Sequence, residues 1–148
     1  MYEYSAKLIK IVDGDTIDVE IDLGFSVHIK ERVRLAGIDA PESRTRNKNE
    51  KTWGLAAKYR LQTLIEDLDT FIIRTEIQKK GKFGRILGSI IIPADTINQL
   101  GTKYSSGVID VNKLLVEEQL AIPYSGLNKN DARKKYGVDE LWNTPYSK

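Results

Sequence analysis

Apolar and polar residues alternate along the first quarter of the chain. Positions 17, 19, 21 and 23 are apolar, and acidic residues fill the positions between them. The apolar positions keep the same odd-numbered parity at 27, 29, 33 and 35, beyond a turn at Gly24. Period-two alternation is typical of strands with one buried face. With a first strand predicted at 4–12, the pattern predicts a β-meander of three strands.

Helical spacing follows. Thr52 is the expected cap of a helix in the next segment. One face of this helix carries a stripe of large apolar residues and alanine: Trp53, Ala57, Leu61, Leu64 and Leu68. Strands are then predicted at 70–77 and 85–92, with a brief one at 108–111. A short helix capped by Asn112 and another over 130–136 complete the pattern. This order predicts an α+β fold, a five-stranded OB-fold β-barrel with about three helices, as a single domain over residues 1–148.

Composition excludes several kinds of site. The chain has no cysteine, so it has no disulfide, thiolate nucleophile or cysteine-bound zinc. Its one histidine, His28, lies in a predicted strand and cannot make a histidine-based zinc site. The first residues lack the basic and apolar regions of a signal peptide, so we expect a cytoplasmic protein, or a secreted one if a leader was removed. No apolar stretch is long enough to span a bilayer, and no membrane partner is expected.

The charge is small but uneven. The net charge is +2, yet nine basic residues stand against four acidic ones between positions 30 and 60. Such a surplus can attract a polyanion. A solvated surface explains it equally well.

Three charged motifs carry the candidate chemistry. The central one is Arg34-Leu35-Ala36-Gly37-Ile38-Asp39-Ala40-Pro41-Glu42, with Asp13-Gly14-Asp15-Thr16 before it and Lys82-Phe83-Gly84-Arg85 after it. The outer two are weak alone, because Asp-Gly is an ordinary hairpin turn and a strand arginine is usually exposed. The central motif is hard to explain as structure, because aspartate is disfavoured in strands and proline cannot donate to a ladder.

These residue types suit phosphodiester hydrolysis. If Asp15 and Asp39 converge, their carboxylates, a backbone carbonyl and waters make an oxygen-only site for a hard cation such as Ca²⁺ or Mg²⁺. Arg34 and Arg85 have the bidentate geometry that grips phosphate oxygens. Glu42 is a natural candidate to orient or deprotonate a water.

The three motifs, in this order and spacing, resemble the staphylococcal nuclease (thermonuclease) family. Two later features agree: Leu114-Leu115 and Leu120-Ala121 before Tyr124, and the near-terminal Trp142. The likeness runs from about residue 7 to residue 142. It implies a five-stranded OB barrel that hydrolyses DNA and RNA with Ca²⁺, cleaving the P–O5′ bond and leaving 3′-phosphates.

The resemblance also implies roles for residues. The calcium ligands would be the carboxylates of Asp15 and Asp39 and the backbone carbonyl of Ala40. The catalytic groups would be Glu42 as water-orienting group or general base, with Arg34 and Arg85 stabilising the transition state. Substrate contacts fall to Lys82, Phe83 and Tyr124, although Phe83 stands where the best-known member of the family has a tyrosine that contacts phosphate.

Other functions stay open at this point. We expect a monomer without a protein partner, acting preferentially on single strands, with Mg²⁺ or Mn²⁺ as possible replacements for Ca²⁺. The alternative from another class is a non-catalytic nucleic-acid-binding OB module, which the five retained charges disfavour. A third possibility is the same mechanism adapted to another metal.

Overall fold

A computed structural model of the chain describes residues 2–75, 85–94, 107–126 and 128–147. Its strands are β1 (Tyr2–Asp13), β2 (Thr16–Asp22), β3 (His28–Leu35), β4 (Ile38–Asp39), β5 (Phe71–Thr75), β6 (Ile86–Pro93), β7 (Val108–Asp110) and β8 (Ile122–Pro123). The described residues contain four helices, α1 (Lys48–Ile65), α2 (Val111–Glu117), α3 (Lys129–Lys135) and α4 (Val138–Leu141).

Five strands form a closed barrel. Their order is β3-β2-β1-β5-β6, and a parallel pairing of β3 with β6 closes the ring. Strand β7 pairs with the outer edge of β6, and β4 pairs with β8 in a separate two-stranded sheet. The predicted α+β fold with a five-stranded OB-type barrel is therefore confirmed.

The alternation of the first three strands fixes which side of the sheet is buried. Ile17, Val19 and Ile21 of β2 are almost fully buried, as is Val33 of β3. The intervening acidic residues remain partly or fully exposed. Helix α1 covers the barrel with its buried face of Ala57, Leu61, Leu64 and Ile65. None of the helices in the described segments is long and apolar enough to cross a membrane.

Helix α1 begins earlier than its apolar stripe predicts. Asn47 is the cap, and its side chain accepts hydrogen bonds from the amides of Asn49 at 3.1 Å and Glu50 at 3.2 Å. The expected cap, Thr52, lies inside the helix and donates to the carbonyl of Asn49. The prediction of Thr52 was wrong because an asparagine cap satisfies the first free amides without any apolar residue nearby.

The cap of α2 also differs from the sequence prediction. Asp110 caps the helix by accepting a hydrogen bond from the amide of Lys113 at 3.3 Å. Asn112, the predicted cap, is buried instead, and its side-chain amide donates to the carbonyls of Ala36 at 2.9 Å and Gly88 at 3.2 Å. Asn112 therefore ties α2 to the end of β3 and to β6, close to the central charged motif.

Candidate active site

A sharp change of direction after β3 presents the central motif. Gly37 has a φ of +77°, a left-handed conformation that glycine adopts without steric cost. Its carbonyl accepts a hydrogen bond from the amide of Tyr124 at 2.8 Å. Asp39 follows in β4, where it pairs with Ile122 of β8. The motif is thus held by a strand pairing between Asp39 and Ile122, which are 83 residues apart in the chain.

Asp15 joins the first motif to the second. One of its carboxylate oxygens accepts the amide of Ala40 at 2.9 Å, and the other accepts the hydroxyl of Thr16 at 2.9 Å. Its main-chain oxygen accepts the amide of Leu35 at 2.8 Å. The first two motifs therefore converge, as the resemblance implies.

Arg34 lies between the two predicted metal-binding carboxylates. Its Nη2 is 3.4 Å from Oδ2 of Asp15 and 3.8 Å from Oδ1 of Asp39. Its Nη1 donates to the main-chain oxygens of Leu35 at 3.1 Å and Asp15 at 3.4 Å. The guanidinium is buried and held by four oxygen contacts, so its position is set before any substrate arrives.

Asp39 is the most enclosed acid of the site. It is fully buried, and burial raises the pKa of its carboxyl group against the opposing charges of Arg133 and Lys129. Its Oδ2 accepts a hydrogen bond from Arg133 at 3.1 Å. Its Oδ1 has no hydrogen bond from the described residues, although Lys129 Nζ lies 3.7 Å away.

Glu42 is held by its main chain and leaves its carboxylate half exposed. Its amide donates to Oε2 of Glu50 at 2.9 Å, and its Oε1 lies 3.9 Å from Lys129 Nζ. The next residue, Ser43, is bound through its amide and hydroxyl by Asp13 of the first motif. Burial raises the pKa of Glu42, and the charges of Asp13, Asp15 and Asp39 add to the rise while Lys129 opposes it.

The third motif reaches the site through the barrel seam. In the parallel pairing, Arg34 lies opposite Leu87, and Arg85 precedes Leu87 by two residues. Arg85 stands just before β6 begins, and the side chains of Arg34, Arg85 and Leu87 line one cleft of about 640 Å³. Tyr124 and Lys129 line the same cleft. Lys82 and Phe83, also predicted to contact substrate, lie outside the described residues.

The donor set can be compared with what a hard cation needs. Among the described residues, no group of three or more histidine, aspartate or glutamate side chains is arranged to hold a metal ion. The predicted set has only two such side chains, Asp15 and Asp39, with the carbonyl of Ala40. The buried Oδ1 of Asp39, without a hydrogen-bond donor among those residues, fits an oxygen ligand for such a cation. Waters or substrate oxygens would complete the coordination.

Comparison with known proteins places the chain in a family. A sequence model of the family described as "Staphylococcal nuclease homologue" matches residues 32–140. The chain belongs to the staphylococcal nuclease homologue family. The resemblance stated from the three motifs is therefore confirmed.

Several curated relatives are similar to this chain in sequence. The chain is 27% identical over 154 residues to "Micrococcal nuclease" of Shigella flexneri, covering 97% of this chain and 76% of that protein. It is 32% identical over 106 residues to an uncharacterised protein of Methanocaldococcus jannaschii, covering 60% of this chain and 49% of that one. It is 28% identical over 95 residues to "Endonuclease YhcR" of Bacillus subtilis, of which it covers only 7%. This chain thus spans about half or less of two of these three relatives.

Three residues of the candidate site were missed from the sequence: Glu50, Lys129 and Arg133. Glu50 stands in the first turn of α1, where an acidic residue is favourable for any helix. Lys129 and Arg133 belong to α3, which the sequence predicted as a short helix over 130–136 but without any role in the site. They stand 90 and 94 residues from Asp39, so only the folded chain reveals their contacts.

Proposed function

We propose that this chain is a metal-dependent nuclease that hydrolyses DNA and RNA with Ca²⁺ as its cation, cleaving the P–O5′ bond to leave 3′-phosphates. The observation that carries the proposal is the position of Arg34. It contacts both acids, Asp15 and Asp39, and lines the same cleft as Arg85. Membership of the staphylococcal nuclease homologue family and two relatives named as nucleases support it.

The two arginines would bind the scissile phosphate. Arg34 is already fixed against main-chain oxygens, so little reorganisation accompanies substrate binding. Arg85 stands just before the neighbouring strand, β6, and lines the same cleft. Donors placed in advance stabilise the negative charge that develops on the phosphoryl oxygens in the transition state. Loss of one such donor typically lowers kcat by about 10²–10³.

Glu42 would orient the attacking water and accept its proton. Its raised pKa brings the carboxylate closer to the range in which a general base is effective. Attack of the water oxygen on phosphorus forms the new P–O bond while the bond to O5′ breaks. The leaving O5′ takes a proton from solvent, so the products are a 3′-phosphate and a 5′-hydroxyl.

Asp15, Asp39 and the carbonyl of Ala40 would hold the divalent cation. When bound, the cation would neutralise charge on the non-bridging phosphate oxygens. The two carboxylates contact the same guanidinium nitrogen of Arg34, which keeps both acids beside a side chain that lines the cleft. Mg²⁺ or Mn²⁺ could replace Ca²⁺ because all the donors are oxygen atoms.

A preference for single strands follows from the shape of the cleft. It is open to solvent and combines an aromatic side chain, Tyr124, with basic ones, Lys129 and the two arginines. Grooves of this composition bind the backbone electrostatically and stack unpaired bases. Such contacts do not read base edges, so sugar identity and sequence should matter little.

The test is cleavage of single-stranded DNA and RNA by the purified chain and by Glu42→Gln, with Arg32→Ala as a control for preparation and contaminating nuclease. Activity is measured in EDTA and after restoring Ca²⁺, Mg²⁺ or Mn²⁺ in turn, and product ends are identified by phosphatase sensitivity. We expect Glu42→Gln to lose about 10²–10⁴ in rate. Equal rates for Glu42→Gln and the parent would reject the mechanism. Tight oligonucleotide binding without cleavage in any metal would instead support a non-catalytic binding module.

A further inference from the structure

Arg133 connects α3 to Asp39 of the central motif and to Glu50 of α1. Its Nε donates to Oδ2 of Asp39 at 3.1 Å, and its Nη1 donates to Oε2 of Glu50 at 3.1 Å. The side chain is only 15% exposed, so water competes weakly for these bonds. One guanidinium therefore grips two carboxylates that belong to different elements, β4 and α1.

Glu50 in turn binds the main chain of Glu42. The same oxygen, Oε2, that accepts from Arg133 also accepts the main-chain amide of Glu42 at 2.9 Å. Arg133 thus acts on Asp39 directly and on the main chain of Glu42 through Glu50. The fork of an arginine fixes both distance and angle between its partners, which the single ammonium of a lysine cannot do.

An aromatic ring holds the guanidinium from its other side. Arg133 lies over the ring of Trp142, 4.9 Å from the ring centroid. Trp142 is buried in a small cluster with Ile122 and Val138, against which Trp53 of α1 also packs. The near-terminal tryptophan therefore limits the movement of Arg133 rather than only anchoring the end of the chain.

We propose that Arg133 is a positioning residue, which sets the separation of Asp39 and Glu42 through its paired bonds to Asp39 and Glu50. This inference rests on the proposed function for its kinetic consequence, because the two acids would hold the cation and orient the water. Arg133 itself touches neither water nor phosphate in this role. A misplacement of about 1 Å in such a site can cost about 10²-fold in rate.

The test compares Arg133→Lys with Arg60→Lys. Arg60 forms a similar two-bond pair with Glu118, at 2.7 and 2.8 Å, and takes no part in the proposed site. We expect Arg133→Lys to lower kcat on single-stranded DNA by about 10-fold to 100-fold with KM little changed. Arg60→Lys should leave kcat unchanged while altering the unfolding temperature by a similar amount. A parental kcat for Arg133→Lys, or equal losses of kcat in both variants, would overturn the proposal.

Hydrogen exchange gives a readout that does not depend on activity. The amide of Glu42 should exchange at least about 10-fold faster in Arg133→Lys and in Glu50→Gln, because both weaken its acceptor, and the double variant should add little to either. Unchanged protection of that amide would refute the positioning role. If the variants show faster exchange but the parent protein cleaves nothing, the proposed function is refuted and the positioning role is supported.

Discussion

Gly54 of α1 lies against the main-chain carbonyl of Glu42, so the helix and the central motif meet backbone to backbone. A Cβ atom built at Gly54 would overlap that carbonyl and would stand 2.5 Å from the amide nitrogen of Ser43. Glycine in a helix interior usually costs about 0.5–1 kcal/mol relative to alanine. Here that cost allows the loop that carries the proposed water-orienting acid to rest directly on the helix.

Gly54→Ala should therefore move Glu42 and lower activity. We expect a loss in kcat of about 10-fold to 100-fold on single-stranded DNA, with the unfolding temperature lowered rather than raised. Leu55→Ala, at the exposed neighbouring position, is the matched control and should keep its kcat. A Gly54→Ala variant with higher thermal stability and parental kcat would show that the contact carries no function.

Removal of Arg34 should affect stability and activity together. Arg34→Ala leaves two buried carboxylates without their shared cation, and breaking such a pair typically costs about 3–5 kcal/mol. Arg32→Ala, in the same strand, removes an exposed pair with Asp18 and should cost below about 1 kcal/mol. Thermal unfolding with and without Ca²⁺ is the measurement. Ca²⁺ should restore part of the stability lost in Arg34→Ala, because it replaces the missing positive charge, and no restoration would argue against a cation site at these acids.

Lys129 should compete with a divalent cation. Its ammonium lies 3.7 Å from Oδ1 of Asp39 and 3.9 Å from Oε1 of Glu42, and the side chain is about half exposed. Exposed pairs are worth at most about 1 kcal/mol, so Lys129→Met should tighten Ca²⁺ binding by up to about five-fold. Calorimetric titration without substrate measures this, with the exposed Lys134→Met as the control. Weaker Ca²⁺ binding in Lys129→Met than in the control would contradict this account.

The acid side of the pH–rate profile should report Glu42. The structure raises the pKa of this carboxyl group, chiefly by burial, so its basic form appears at a higher pH than for a free glutamate. Activity should accordingly rise with pH through a midpoint higher than that of a free glutamate. Lys129→Met removes a charge that lowers this pKa, so the midpoint should move to still higher pH, measured as kcat/KM on a short oligonucleotide. The control Lys134→Met should leave the midpoint unchanged. A midpoint that falls in Lys129→Met, or that is unchanged there too, would exclude Glu42 as the titrating group.

Local patterns predicted most of the barrel. The alternation along β2 and β3 predicts the ends of both strands to within two residues of those in the structure, because burial of one face of the sheet produces the alternation. Both helix caps were misplaced, because Asn47 and Asp110 lie outside the apolar pattern that marks each helix. Asn112 shows the same limit: an asparagine before an apolar run looks like a cap, and only tertiary contacts reveal its bonds to Ala36 and Gly88.

The sequence predicted the residues of the candidate site that lie within the charged motifs. It did not predict the contacts that these motifs make with distant segments of the chain. The spacing of Arg34, Asp39 and Glu42 identifies the central motif, and the structure brings Asp15 to it. No local signal predicts that β4 pairs with β8 or that Arg133 reaches Asp39 and Glu50, since these contacts depend on how the terminal helices pack. The site roles remain predictions for the experiments above.

The parallel pairing of β3 with β6 has a consequence for how loss of activity should be interpreted. Arg34 and Arg85 stand on opposite sides of the strand junction that completes the ring. A barrel that parted only at this junction could keep most of its hydrophobic interior and still be unable to grip a phosphodiester from both sides. Cleavage would then fail before bulk denaturation, so gentle heating or low denaturant should abolish turnover while spectroscopic signals of the core persist.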